Sequence, residues 1–532
     1  MNGVMAQSGQ PSIEVSVREP QSRPAELSHP AQPAAEHDAT RYLCSAAHLD
    51  QNFTRRVVRE LLVAEHRLPI PVPGVDLATV VRHCLAARAR LLYRDCALLV
   101  VLLVTVGLAG WAAAAWYTWL TGLWLALRAA KTHSARNAAV FGAVLWTLAA
   151  AVVLALTLTR MNPFGLRAVL HVAAPTHTDV AIWLGAPLLS VVCCWAVVLA
   201  AEVSTYVTVA ERLRRDRFTP GRWLSAEPAW AQDALAVLGG RLADGRLDRH
   251  PVADPSAPFI GSGRAVLRKR WLIDLGPAAS RSAPFDTGDL LDRICERLAD
   301  GAASLDLIAG SPARVSVDSC AISTGAALAT FAGHEHEESW HGLHHGFGRA
   351  GDVRLIPDPP SAFQHAGARP ARPFRRIRIS GEPAGLAVTG YLSAVAGAGV
   401  LQVELYGHVL GPIAARYRKA DRSPSFGWAT AAGCVTRATR WLPYVVFTAP
   451  RSVCRTAADP LLRRRHRATL VRAAQAGLVV DAGARFSVRE AASAMVGADR
   501  FADEDANLYL AFIERRVREE LRPLLPTAPA EF

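Results

Sequence analysis

The chain has 532 residues, enough for two to four compact units, so a core of ordinary size needs no disulfide support. Its 59 basic and 46 acidic residues leave a net charge of +13, nearly all arginine, because Lys131, Lys269 and Lys419 are the only lysines. Nine cysteines, an odd number without a C-x-x-C pair, argue against a disulfide framework and a zinc ribbon and fit a reduced, cytosol-facing bulk.

Residues 1–40, rich in Pro, Ser, Gln and Glu, contain no continuous apolar stretch of signal-peptide type and are expected to form a disordered tail. In "YLCSAAHLDQNFTRRVVRELLVAEHRL", Leu49, Phe53, Val57 and Leu61 recur every four residues, which predicts an amphipathic helical arm over 41–74. Such an arm either packs on the cytosolic domain or lies on a bilayer surface. "PIPVPG" then breaks the chain, and Asp76 is placed to cap a second helix that runs into an apolar block.

That block, within 75–217, concentrates the apolar residues of a chain whose mean hydropathy is +0.16. Residues 96–127 run for 32 positions without a charge, followed by uncharged runs at 138–159 and 180–201. Each reaches the roughly 18–20 residues that cross a hydrocarbon core, so membrane insertion is expected. As one helix the first run would be about 48 Å long, against a core of about 30 Å. The alternative is a hairpin turned at "GLAGW", residues 107–111. The hairpin puts Arg88, Arg90, Arg94, Arg128, Lys131, Arg136, Arg212, Arg214 and Arg215 on one side, as the positive-inside rule prefers. The expectation is about four segments, or three if the first run is one helix, with both termini and the soluble domain cytoplasmic. The basic residues would then meet anionic lipid headgroups; in the absence of a recognisable binding motif, nucleic acid is disfavoured as a partner. No ionisable residue interrupts the runs, which disfavours a small-solute transporter.

Beyond residue 217 the pattern is that of an α+β domain with a mixed sheet over 218–425, followed by a helical region over 426–532. "AWAQDALAVLGGRLADG" and "DTGDLLDRICERLADGAASL" read as helices, the second capped by Asp286 or Thr287. "RWLIDL", "ARVSVDS", "FRRIRIS", "GLAVTGYLSAV" and "GVLQVELYG" read as strands. In "FRRIRIS", Ile377 and Ile379 are expected to face inward and to alternate with Arg376 and Arg378, which turn a charged face to water. "WLPYVVFTAP" is apolar but too short to span, and suits core packing or an interfacial contact. Arg463, Arg464, Arg465 and Arg467 read as a solvated or lipid-facing patch.

Two stretches invite chemistry. "HEHEESWHGLHHGFG" gathers five histidines, His334 to His345, of which His334, His336, His341 and His344 are candidate metal ligands. It misses the H-E-x-x-H spacing by one residue, because His336 and His341 are five apart, and Gly342 and Gly346 oppose a helix; a loop insertion near 333–372 is favoured. In "PFIGSGRAVLRKR", Gly261, Ser262, Gly263 and Arg264 form a turn whose amides are able to cradle a phosphate, although the glycine spacing is neither that of a P-loop nor that of a dinucleotide site. The plainer reading is a tight turn before a strand. No catalytic residue and no cofactor is assigned.

"RYLCSAAHLDQNF" from Arg41, "PFIGSG" from Pro258, "WLIDL" from Trp271 and "GPIAARYRKA" from Gly411 carry a resemblance. In these motifs, over residues 41 to about 425, the chain resembles a group of uncharacterised integral membrane proteins of streptomycetes and related actinobacteria. The resemblance implies a helical arm, a membrane block and a soluble domain; it carries over no functional residue, and the His-rich tract departs from its pattern. The function expected is that of a membrane-anchored scaffold, signalling or assembly protein, with a protein partner or a second copy of the chain. The competing reading is a membrane-bound enzyme, or a phosphate- or metal-binding protein, using the His334–His345 region or the Gly261–Gly263 turn.

Overall fold

A computed structural model describes residues 38–109, 177–220, 227–243, 246–249, 251–275, 286–301, 314–324, 372–381, 385–397, 399–475, 481–494, 497 and 499–524. The arm is two helices rather than one. α1 (Asp38–Leu49) stops at Asp50, whose carboxylate accepts from the amides of Asn52 at 2.9 Å and Phe53 at 3.1 Å and so starts α2 (Gln51–Val58), which widens into a π-type turn over Arg59–Val63. The apolar stripe splits accordingly: Phe53 and Val57 are buried, while Leu49 is exposed at the break. The arm packs on protein. Leu43, Cys44, Phe53, Val57 and Leu62 share one core with Val80, Val81, Cys84, Val209, Leu213, Leu235, Ile413 and Tyr417.

α3 (Leu77–Ala109) begins where Asp76 accepts from the Thr79 amide at 3.0 Å, as its position predicts. Its 33 residues make about 50 Å of helix. α4 (His177–Val207) contains Pro187 and ends in a wide turn over Thr208–Arg212. Both are long and apolar enough to cross a membrane, over Leu77–Leu108 and Gly185–Arg212. They lie antiparallel: Arg90 donates to Thr205 Oγ1 at 3.4 Å, and further along Leu98 packs on Cys194 and Val198. α3 stays helical through Gly107, so no turn occurs before residue 110. The rest of the first run and the whole segment 138–159 lie outside the described residues.

The sheet domain follows: α5 (Ala229–Ala243), β1 (Val252–Ala253), β2 (Arg264–Asp274), α6 (Thr287–Asp300), β3 (Arg314–Thr324), β4 (Arg372–Ser380), β5 (Ala387–Gly397) and β6 (Val400–Leu410). The sheet order is β1-β3-β4-β5-β6-β2, with β1 parallel to β3 and the other pairs antiparallel. This is the expected α+β domain with a mixed sheet. Asp286 caps α6 by accepting from the amides of Gly288 at 2.8 Å and Asp289 at 3.1 Å.

The chain continues through α7 (Trp428–Gln475), α8 (Val488–Ala492) and α9 (Arg500–Leu521). α9 is not a separate tail. Its Leu510, Ile513, Val517 and Leu521 join Leu290, Ile294 and Leu298 of α6 beneath Ile377, Ile379, Val388, Leu392, Leu401, Val403 and Leu405. Burying each such side chain contributes roughly 1.5–3 kcal/mol, so the sheet depends on a helix that starts 90 residues beyond the end of its last strand. α7 absorbs both "WLPYVVFTAP" and the arginine-rich stretch in 48 continuous residues, with Pro443, Pro450 and Pro460 inside it.

Candidate functional site

The helices cover one face of the sheet; the other carries cross-strand rows fixed by register. One row runs Arg268, Tyr406, Tyr391, Arg376, Asp318; the next toward the β5–β6 hairpin is Arg270, Glu404, Ser393; beyond it lies Leu272, Gln402, Val395. The turn before β2 folds over this face. Phe259 is its hub, with ring centroids 4.5 Å from Tyr391, 4.9 Å from His408, 5.1 Å from Tyr406 and 5.5 Å from Phe374. Arg376 and Arg378, expected to face water, instead meet carboxylates: Asp248 lies 3.3 Å and 3.1 Å from them, and Asp318 lies 3.5 Å from Arg376. Glu404 is held below the usual carboxylate range; burial opposes this and is outweighed by hydrogen bonds from Tyr406, Arg270 and Gln402.

The phosphate reading of Gly261, Ser262, Gly263 and Arg264 meets a direct competitor. The amides of Gly261 and Gly263 converge at 2.7 Å and 2.8 Å on one atom, Glu490 Oε1. The anion in the cradle is a carboxylate of α8, from the same chain, and Arg264 points into solvent at the start of β2. The glycines also answer to packing. A Cβ on Gly261 would lie 2.7 Å from Ile70 of the Pro-rich linker, and one on Gly263 would lie 2.2 Å from the Val409 carbonyl oxygen. The turn therefore clasps linker, sheet and α8 together.

Its polar atoms are poorly arranged for nucleophilic chemistry. The Ser262 hydroxyl pairs with the Tyr391 hydroxyl at 2.7 Å, both groups being buried, and not with an imidazole. His408 sits 3.5 Å from the Gly263 carbonyl, and burial lowers its pKa, which keeps the ring neutral. Burial pushes the Cys320 thiol up to about 11, despite the nearby Arg376 and Arg378, so it is not a thiolate at neutral pH.

His334, His336, His341, His344 and His345 lie outside the described residues; topologically they belong to the connection from β3 to β4, two neighbouring antiparallel strands. Among the described residues, no group of three or more His, Cys, Asp or Glu side chains is placed to hold a metal.

The expected membrane-surface arginines prove largely ion-paired. Arg88 meets Asp459, Arg94 lies 2.7 Å from Asp95, Arg214 3.4 Å from Asp216 and Arg215 3.5 Å from Asp38. Arg90 donates to Thr205 and, at 3.1 Å, to His48, while Arg212 is exposed. Arg128, Lys131 and Arg136 lie outside the described residues. Of the late arginine cluster, Arg464 and Arg465 are exposed as expected, but Arg463 is buried, and it and Arg467 both grip Glu65.

Sequence reading missed Glu490 and Glu65. "SVRE" at 487–490 has capping-box spacing, and Ser487 does accept from the Glu490 amide at 3.4 Å; the pattern points to a local role, whereas the carboxylate reaches a turn more than 220 residues away. Replacing Glu490 by Ala leaves two amides without their acceptor and should cost about 2 kcal/mol; Gln, which keeps an oxygen, should recover about half. Denaturant midpoints in detergent measure both, and inorganic phosphate should leave the unsubstituted protein's midpoint unmoved.

Residues 264–527 match the family model of the AbeC-like domain. The match starts at the first residue of β2, takes in the remaining strands and all helices from α6 to α9, and covers just under half of the chain. Over the sheet and its supporting helices the chain is similar to that family, whose description names no ligand or reaction. No curated protein and no solved structure matches the chain.

Proposed function

We propose that the chain is an integral protein of the cytoplasmic membrane, threaded by four segments with both termini and the sheet domain cytosolic. The domain acts in scaffolding, signalling or assembly rather than in catalysis. The observation that carries this reading is the outward surface of α3 and α4. Leu103 is 70% exposed and Leu189 64%, beside exposed Val100, Val104, Leu108, Leu188 and Val192. A contiguous apolar surface of this kind is costly in water and suited to lipid. Where the two helices meet the soluble part, the arginines described above gather with Tyr93, 76% exposed, and Tyr206, the residue types that mark a membrane interface. The arginine bias favours the cytosolic side for that end.

A non-catalytic role is supported by the filled cradle, the Ser262–Tyr391 pair and the neutral thiol. Exposed Leu272 and Val395, in one row of the open sheet face, offer apolar surface to a protein partner or a second copy. Two of the motifs that carry the resemblance to the actinobacterial membrane group meet in the fold, where the Tyr417 hydroxyl donates to Asp50 at 2.8 Å.

Reporter tags test the threading. Cytosolic signals are expected at residues 20, 133 and 530 and an external one at 170. An external signal at 133 makes the first run a single helix and the segment count odd. A chain that stays in the supernatant without detergent removes the membrane reading altogether.

A further inference from the structure

The course of α7 can be followed against α3 and α4 contact by contact. Just before it starts, Phe426 lies 6.0 Å from Tyr206, ring to ring, and Tyr206 donates to the Pro424 carbonyl at 2.7 Å. This is the end of the helix pair where Arg90 meets Thr205. Further along, Arg437 reaches Glu202 at 3.2 Å and Trp195 donates to Thr439 at 3.0 Å. Ala438, Val445 and Ala449 are then buried with Leu98, Cys194 and Val198. After that the helix returns: the Thr456 carbonyl accepts from Arg88 at 3.2 Å, Asp459 pairs with Arg88, and Arg463 meets Glu65.

Leu98 stands about 12–15 Å along α3 from Arg88 and Arg90. α7 therefore climbs from that level, crests between residues 438 and 449, and descends to the level it left. A straight helix cannot do so. Pro443 and Pro450 sit at and beside the crest; each lacks an N–H and opens the helix where the bow needs it.

We propose that α7 is a re-entrant helix whose crest dips into the cytosolic leaflet and is surrounded there by lipid. This rests on the membrane reading of α3 and α4. The occupant follows from the continuity of the surface: exposed Val435 and Trp441 lie at the height where the flanks of α3 and α4 become apolar. Exposed Arg440, at the start of the crest, and Arg451 and Arg455 on the descending leg have long stems that carry their charges back toward the headgroups. Trp428, 91% exposed at the foot of the rising leg, lies at interface depth. A crest about 12 Å deep stays within one leaflet of a core about 30 Å thick, which removes the objection that residues 441–450 are too short to span.

The test uses the full chain in sealed membrane vesicles of both orientations. Ser425→Cys and Arg464→Cys are labelled with a membrane-impermeant maleimide and the modified peptide is read by mass, so native cysteines do not interfere. Both sites should label from the face that carries a tag at residue 530. Labelling from opposite faces would mean that α7 crosses, and the proposal falls. A nitroxide on Trp441→Cys should collide with oxygen and be shielded from a water-soluble nickel chelate; free access of the chelate puts the crest in water and also overturns it. Alkaline carbonate separates the two readings. Release of the whole chain defeats the membrane reading itself, whereas a retained chain with a chelate-accessible crest defeats only the re-entrant helix.

Discussion

Gly263→Ala is expected to be the most damaging single-methyl change in the soluble domain, costing about 4–5 kcal/mol or preventing folding. Two effects add. The residue holds φ +89°, a backbone region that costs an L-residue roughly 1–2 kcal/mol. Its Cβ would also lie 2.2 Å from the Val409 carbonyl oxygen and 2.7 Å from Leu410 Cα, both backbone atoms of β6 that cannot rotate away. Relief requires shifting β6 against β2 at the first paired residues, Arg264 and Val409. Gly497 provides the control, because it has a similar φ of +96° but nothing within 4 Å of the added carbon. Gly497→Ala should lose only the backbone contribution, about 1 kcal/mol. Denaturant midpoints of the detergent-solubilised protein decide the matter. Equal losses for the two variants would show that the turn does not press on β6 as described.

The same turn shows how much of this molecule was legible in the sequence. Glycines at 261 and 263 announced a special backbone and a place where something comes close. The plainer reading was a tight turn before a strand, with phosphate as the alternative because convergent amides attract anions; in the structure those amides meet a carboxylate from the chain itself. Nothing in the spacing of Gly261 and Glu490 connects them. The elements that were legible are those governed by local rules. Alternation in "FRRIRIS" placed Ile377 and Ile379 on the inner face, and Asp76 and Asp286 cap the helices their positions foretold. Asp50 was less obvious, since an unbroken four-residue stripe hides a cap that divides the arm into two helices. The helical character of the region after residue 426 was legible, but that α7 is one continuous helix was not, for a different reason. Three prolines and dense arginine normally argue for breaks and solvated surface, and only contacts with α3 and α4 reveal one bowed helix using its prolines to bend. Partners for arginines were beyond the sequence too: Arg41, 1% exposed, is satisfied by Asp38 next to it and by Asp421 and the Leu213 carbonyl, both distant.

The second large effect is expected at Glu65, which fastens the end of the arm to the descending leg of α7. Its side chain is 4% exposed and that of Arg463 is 6% exposed, with Nη2 2.8 Å from Oε2; Arg467 holds the second oxygen. Glu65→Ala leaves the Arg463 charge buried without a counter-charge and should cost about 3–5 kcal/mol, whereas replacing both residues by Leu should cost much less. That contrast separates loss of a partner from loss of packing. The pair also sets a pH window. Burial alone would raise the Glu65 pKa, but hydrogen bonds from Arg467 and Arg463 outweigh it and hold the group below its ordinary 4.5. A carboxylate depressed in the folded state stabilises above its unfolded pKa, and that contribution disappears as pH falls through the folded value. The stability gap between the unsubstituted protein and Glu65→Gln should therefore be constant near neutrality and narrow only below about pH 4.5. A gap that widened on acidification would reverse the sign and rule out an ionised Glu65 as the clamp between arm and α7.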